Sequence, residues 1–183
     1  LQAFRSVYTS EGVHRAEKLG IPATHDYQDQ PHSIPLPATM TKVLGERLGG
    51  SYGVQGTLYS DYPFPFRPPA DLDDFQQSAL AQLRANPGAT VVRFEGTEGS
   101  DVVRYAVADR LRQDCVACHN EHPDSPKRDW KLGDVRGVLE VSHPLSSAAT
   151  ALEDDLETTV GVLFLLGLVA LLILALTAVR QRQ

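Results

Sequence analysis

The chain reads as an α+β protein: an antiparallel sheet flanked by helices, followed by one apolar segment near the C-terminus. Three observations predict this. Helical periodicities and β-branched runs follow one another in the order helix, helix, strand, helix, hairpin, strand. Gly, Pro and Asp clusters separate those runs. The apolar residues, 42% of the chain, are unevenly spread, with one almost wholly apolar block behind an otherwise ordinary polar sequence. At 183 residues there is room for one domain plus an extra segment.

Residues 1–19 predict a helix, because Phe4, Val7 and Tyr8 recur at three-to-four spacing and Gly20 with Pro22 stops the run. His14, one heptad beyond Val7, falls on its core-facing side. Residues 20–37 carry Pro22, Pro31, Pro35 and Pro37 among polar residues and read as a loop. A second helix fits 38–48, ended by Gly49 and Gly50, and 52–59 reads as a strand. Residues 61–69 cannot be regular, since Pro63, Pro65, Pro68 and Pro69 break any ladder. Residues 71–85 form a helix with Leu72, Phe75, Ala79, Leu80 and Leu83 on one side. Residues 89–95 and 101–109 make a hairpin turned at 96–100. Residues 110–133 read as one long irregular segment, and 134–143 as a last strand. From Ser146 a helix runs through Ala149, Leu152 and Leu156 into the apolar block.

That block, 158–179, contains no charged residue. At 1.5 Å per residue it spans about 33 Å, close to the thickness of bilayer hydrocarbon, so a transmembrane helix is expected. Glu153, Asp154, Asp155 and Glu157 precede it, and Arg180 and Arg182 follow. The positive-inside tendency puts the C-terminus in the cytoplasm. The expected organisation is a periplasmic domain over 1–145, a juxtamembrane helix over 146–157, the span over 158–179 and a tail over 180–183, in a bacterial inner membrane. A net charge of −6 without Lys/Arg blocks argues against nucleic acid as partner.

One motif carries chemistry. Cys115-Val116-Ala117-Cys118-His119 is C-x-x-C-H, the attachment pattern for c-type haem. Two thiols bond to the two vinyl groups of one haem, and the adjacent histidine becomes the proximal axial ligand. A redox thiol pair and half of a zinc site are the competing readings. Zinc needs two more good ligands, and the chain has no further Cys; a thioredoxin-like site expects a helix opening at the first Cys, in a βαβ context. Haem c is attached outside the cytoplasmic membrane, which agrees with the charge flanks. With both Cys used, the sixth iron position falls to another group. The candidates are His14 and Met40, the single methionine, ahead of Tyr8, His25, His32 and water. His122 and His143 read as loop and surface residues.

SVYTSEGVHRA (6–16), IPLPATM (34–40), LYSDYPFPFR (58–67) and RYAVADRLRQDCVACHNEHPDSPKRDWKLGDVRGVLEV (104–141) together resemble the periplasmic c-type haem sensor domains found ahead of bacterial cyclases, histidine kinases and chemoreceptors. The resemblance implies a PAS-like fold with one covalent haem. Cys115, Cys118 and His119 would be its attachment and proximal residues. It also implies a distal side lined by the N-terminal helical region, where Tyr8, His14 and Met40 lie.

Two function classes stay open. The chain stops four residues past the apolar block with no output domain, so the expectation leans to a membrane-anchored mono-haem cytochrome-like protein. It would transfer electrons or serve as an accessory subunit to a membrane complex, with lipid and a redox partner as its contacts. The alternative is the input domain of a transmembrane receptor that senses redox state or a gas. No nucleophile–base pair or phosphate loop is visible, so an enzyme is not expected.

Overall fold

The tertiary structure, a computed structural model, describes residues 1–68, 71–96, 101–145, 156, 158–171, 173 and 180. The chain divides into two units, Leu1–His143 and Pro144–Gln183. The first unit opens with α1 (Gln2–Val7), a π-helical stretch over Tyr8–Val13, and α2 (His14–Lys18). A two-residue parallel pairing of β1 (Ala23–Thr24) with β2 (Ile34–Pro35) follows. Then come α3 (Pro37–Tyr52), β3 (Gln55–Tyr59), α4 (Asp74–Ala85), β4 (Thr90–Glu95), β5 (Val102–Arg110), α5 (Gln113–Glu121) and β6 (Val135–Pro144). The mixed α+β class stands.

Four strands form one sheet in the order β3-β6-β5-β4. β3 and β6 are antiparallel, Gln55 opposite Ser142 through Tyr59 opposite Val138. β4 and β5 are the predicted hairpin, Thr90 opposite Val107 through Glu95 opposite Val102; its tip, 97–100, lies outside the described residues. β6 sits inside the sheet, and its run from Val135 to Glu140 is buried. α4 starts at a capping box, Asp73 accepting from the Gln76 backbone N–H (2.9 Å) while the Gln76 side chain accepts from that of Asp73. Its predicted apolar face covers the sheet: Phe75, Ala79, Leu80 and Leu83 pack on Tyr59, Ala106, Ala108 and Val138. Burial of a side chain such as Phe75 or Leu83 is worth about 1.5–3 kcal/mol.

The structure corrects several boundaries. The first helix is not uniform, for the His14 N–H donates to Thr9 O and makes a wide π turn. The additional residue rotates the following face. Val7, before the turn, is 59% exposed, Val13 is buried and His14 is half-buried rather than core-facing. α3 runs through Gly49 and Gly50 and ends only at Gly53, where φ is +67°. Glycine has poor helix propensity, but packing against β3 overrides it. That packing needs Gly45, where an added Cβ would stand 2.2 Å from the carbonyl oxygen of Gly56. Residues 110–133 are not wholly irregular, since α5 lies within them. A nine-residue segment with little apolar periodicity has no helical signal of its own and depends on its surroundings.

In the second unit, 158–171 are helical. No helix among the described residues is long and apolar enough to cross a membrane. Residues 172 and 174–179 of the expected span, and 146–155 and 157 of the expected juxtamembrane helix, lie outside the described residues.

Two glycines of α3 test this packing. Gly45→Ala should cost about 2 kcal/mol or more, because backbone must move. Gly50→Ala, where nothing lies within 4 Å of the new methyl, should stabilise by about 0.5–1 kcal/mol. Urea unfolding of the two variants checks the opposite signs; equal effects would contradict the Gly45–Gly56 contact.

Candidate functional site

α5 is carried on a loop that leaves the sheet at β5 and returns at β6. The base of the loop is closed by backbone bonds: the Leu111 N–H donates to Asp134 O (2.9 Å) and the Gly133 N–H to Leu111 O (2.8 Å). Inside the loop, Asn120 holds Trp130 by its backbone. The Asn120 amide donates to Trp130 O (3.0 Å) and accepts from the Trp130 N–H (2.9 Å). The last turn of α5 is thereby fixed. His122 ends it, and Pro123 cannot continue it.

Both cysteines are free. Cys118 and His119 follow Cys115 by three and four residues on one helix, so the two sulfurs and the imidazole share a face. Arg5 acts electrostatically on Cys115 and His119, and Glu17 acts on Cys118, so α1 and α2 flank this face. Desolvation, followed by the negative charge of Glu17, raises the Cys118 thiol pKa. α1 is tied down by Arg5, which pairs with the buried Asp109 of β5, and by Gln2, which donates to Ala108 O (2.8 Å).

His119 is half-buried and neutral. Burial, then the positive charges of Arg136 and Arg5, hold its pKa down to about 4. Its Nδ1 accepts from Nε of Arg136 at 3.3 Å. The period of two along β6 puts Arg136, Val138 and Glu140 on one face. Val138 joins the core there, Glu140 accepts from Arg104 Nε (2.7 Å), and Arg136 meets His119. Beside the imidazole stands an aromatic wall. Phe64 lies 5.5 Å from the His119 ring and 5.1 Å from that of His122. Phe66 stacks on Phe64 at 5.0 Å, and His25 on Phe66 at 4.0 Å.

Of the sequence-predicted residues, Cys115, Cys118 and His119 are brought together on α5. His14 opens α2, half-buried, and Met40 lies in the first turns of α3, also half-buried. Tyr8 has its hydroxyl committed to Pro35 O (2.8 Å), and His25 is exposed on the outer end of the aromatic wall. His122 Nδ1 accepts from the Asp124 N–H.

Sequence reasoning missed Arg136, Asn120, Trp130 and the role of Phe64 and Phe66. One signal was present: an arginine inside the apolar strand run DVRGVLEV. The donor set fits a haem. There are two free thiols and a neutral imidazole on one face, with phenyl rings beside them. The Trp130 Nε1–H, in a residue 5% exposed, is buried with no acceptor among the described residues. Also among the described residues, no three His, Cys, Asp or Glu side chains gather as a metal site, so zinc ligands beyond the cysteine pair are not assembled there.

Comparison with known proteins gives one family. The model of the Tll0287-like family matches residues 1–144. No curated protein matches the chain. Among solved structures, the crystal structure of the cyanobacterial heme-protein Tll0287 is similar at 19% identity, over 56% of this chain and 68% of that one, with a TM-score of 0.43.

Without haem, the His119 imidazole should stay neutral down to about pH 4, against about 6.5 for an ordinary histidine. Its folded pKa is the lower one. The stability it contributes is therefore complete above about pH 6.5 and is lost as pH falls toward 4. An NMR titration of haem-free protein should place its midpoint near 4; a midpoint near 6.5 would remove the burial and cation argument.

Proposed function

The chain belongs to the Tll0287-like family, and on that premise we propose that it is a haem-binding protein carrying one covalent haem c and exchanging single electrons with a membrane partner. The observation that carries this reading is the shared face of α5, where two free thiols and a neutral imidazole stand together. Cys115 and Cys118 would hold the haem through thioethers, and His119 would bind its iron. When bound, the group supplies one-electron chemistry. The chain's own residues do the rest. Asn120 and Trp130 keep α5 rigid, Phe64 and Phe66 shield the imidazole, and Arg5 and Arg136 add positive charge.

His14 or Met40, both on the N-terminal helical elements, supplies the sixth ligand in this reading, because an electron carrier gains from a saturated iron. The four-stranded sheet with α4 on one face supports a PAS-like fold. The uncharged stretch 158–179, between acidic and basic flanks, supports a membrane anchor with the haem domain in the periplasm. The protein is read as a non-enzymatic carrier or accessory subunit.

A second reading, a redox or gas sensor, is favoured by one observation. Arg136, which touches His119, lies on β6, and β6 is the last strand before the apolar segment. A change at the imidazole is thus one strand away from the chain that leaves the domain.

Haem should stay with the polypeptide through denaturation and acid–acetone extraction, and Cys115→Ala with Cys118→Ala should abolish that retention. Freely extractable wild-type haem would overturn the attachment. The ferric spectrum should be low-spin and should change in His14→Ala or Met40→Ala. A low-spin spectrum indifferent to both removes these ligands. Rapid CO binding to the ferrous protein would move the reading to sensing. Protease added from the periplasmic side should cut residues 1–157; accessibility from the cytoplasm would reverse the topology.

A further inference from the structure

β4 ends the sheet. In the order β3-β6-β5-β4, each outer strand has one edge without a strand beside it. β3 has α3 packed against it, with Gly45 close to the Gly56 carbonyl. β4 pairs with β5 alone among the described residues, over six consecutive positions without a bulge. Its sequence, Thr90-Val91-Val92-Arg93-Phe94-Glu95, also lacks the proline and lysine that commonly blunt such an edge.

The two faces of β4 differ. Val91, Arg93 and Glu95 share the face toward α4. Val91 packs on the core there, and the Arg93 guanidinium lies 5.0 Å from the Phe75 ring. Arg93 Nη1 donates to Glu95 Oε1 along the strand (3.2 Å). The opposite face is apolar and open. Val92 is 49% exposed, Phe94 72%, and Tyr105, directly across from Val92 on β5, 45%. Large apolar side chains gathered on one face, beside an open edge, mark a place where another strand can add.

The charges select the occupant. Arg93 and Glu95 flank Phe94 on the same face. With an antiparallel copy of β4 placed so that Phe94 stands opposite Phe94, Arg93 of each copy stands opposite Glu95 of the other. Val92 then meets Gly96, which has no side chain to obstruct it. Centring the pair on Arg93 sets like charges face to face, and centring it on Val92 sets Arg93 opposite Val91. A shift of one residue puts the charged face of one copy level with the apolar face of the other. Opposite charges directly across a ladder stabilise it, and like charges destabilise it.

We propose that β4 is a dimerisation edge: a second copy of this chain adds antiparallel along β4, with the two-fold axis at Phe94, and joins the two four-stranded sheets into one. The Phe94 rings of the two copies lie side by side, and the two apolar faces become one.

The test uses the full chain in detergent, with Phe94→Cys and Thr90→Cys compared under mild oxidation. Residues directly opposite across an antiparallel ladder have Cα atoms about 4.5–5.5 Å apart, within disulfide reach. The two copies of position 94 should link to each other. Those of position 90 should not, since at 3.4 Å per residue the proposed register sets them about 27 Å apart. Mass spectrometry of the 94–94 peptide keeps this linkage distinct from any made by Cys115 or Cys118. In sedimentation, the wild-type chain should be a dimer, and Arg93→Glu should raise its dissociation constant at least tenfold, because both cross-chain pairs become repulsive. Absence of the 94–94 link, or equal linking at positions 90 and 94, overturns the inference. A dimer that Arg93→Glu leaves unchanged places the contact elsewhere and overturns it too. A wild-type chain that stays monomeric overturns it as well, and leaves the edge to a strand of another protein.

Discussion

A buried guanidinium organises the candidate site. Arg136 on β6 reaches the loop after β3 through Ser60 and Tyr62, and reaches α5 through His119. Three segments distant in sequence therefore meet on one rigid, planar group. The desolvation of that charge is offset only if all its N–H groups are satisfied, so the positions of Ser60, the Tyr62 carbonyl and the His119 ring are mutually dependent. The rings of Phe64 and Trp130 lie 5.8 and 5.4 Å from the Cζ of the same group. Burial by these neighbours and the charge itself keep His119 neutral, the state in which an imidazole nitrogen can bind iron.

The opposite flank is set by a different interaction. Arg5 pairs with the buried Asp109 of β5 and draws α1 against the sheet. The π turn that follows lets the helical segment continue while changing which face it presents. Val13, not Val7, is then the buried residue. α3 comes close to β3 because Gly45 and Gly56 have no side chains to hold them apart. The N-terminal third of the chain is thus built around close approach and one ion pair rather than around a large apolar face.

Electron transfer and sensing make different demands on this architecture. A carrier needs an imidazole that does not move between oxidation states; the Asn120–Trp130 bonds tie the last turn of α5 to the loop that follows it. A sensor needs a bistable element, and β6, which carries Arg136, is followed in sequence by the second unit. The difference lies in the sixth iron position, where rigid ligation suits the carrier and a vacant or exchangeable position suits the sensor.

The sequence alone determined the α+β class, the amphipathic α4 with Phe75, Ala79, Leu80 and Leu83, the β4–β5 hairpin and the C-x-x-C-H spacing of Cys115, Cys118 and His119. Each is a local signal: a period of 3.6, a period of 2, or a spacing within five residues. What only the tertiary structure decided is non-local. α5 lacks helical periodicity and is held by Asn120 and Trp130, ten residues apart. α3 overrides Gly49 and Gly50 because β3 lies against it. Arg136 looks like an interruption of an apolar strand until His119, seventeen residues earlier, is folded onto it. Local periodicity reports how a segment meets water on one side and a core on the other. It carries no information about which distant polar groups will share one buried charge, because that choice is made only when the segments are brought together.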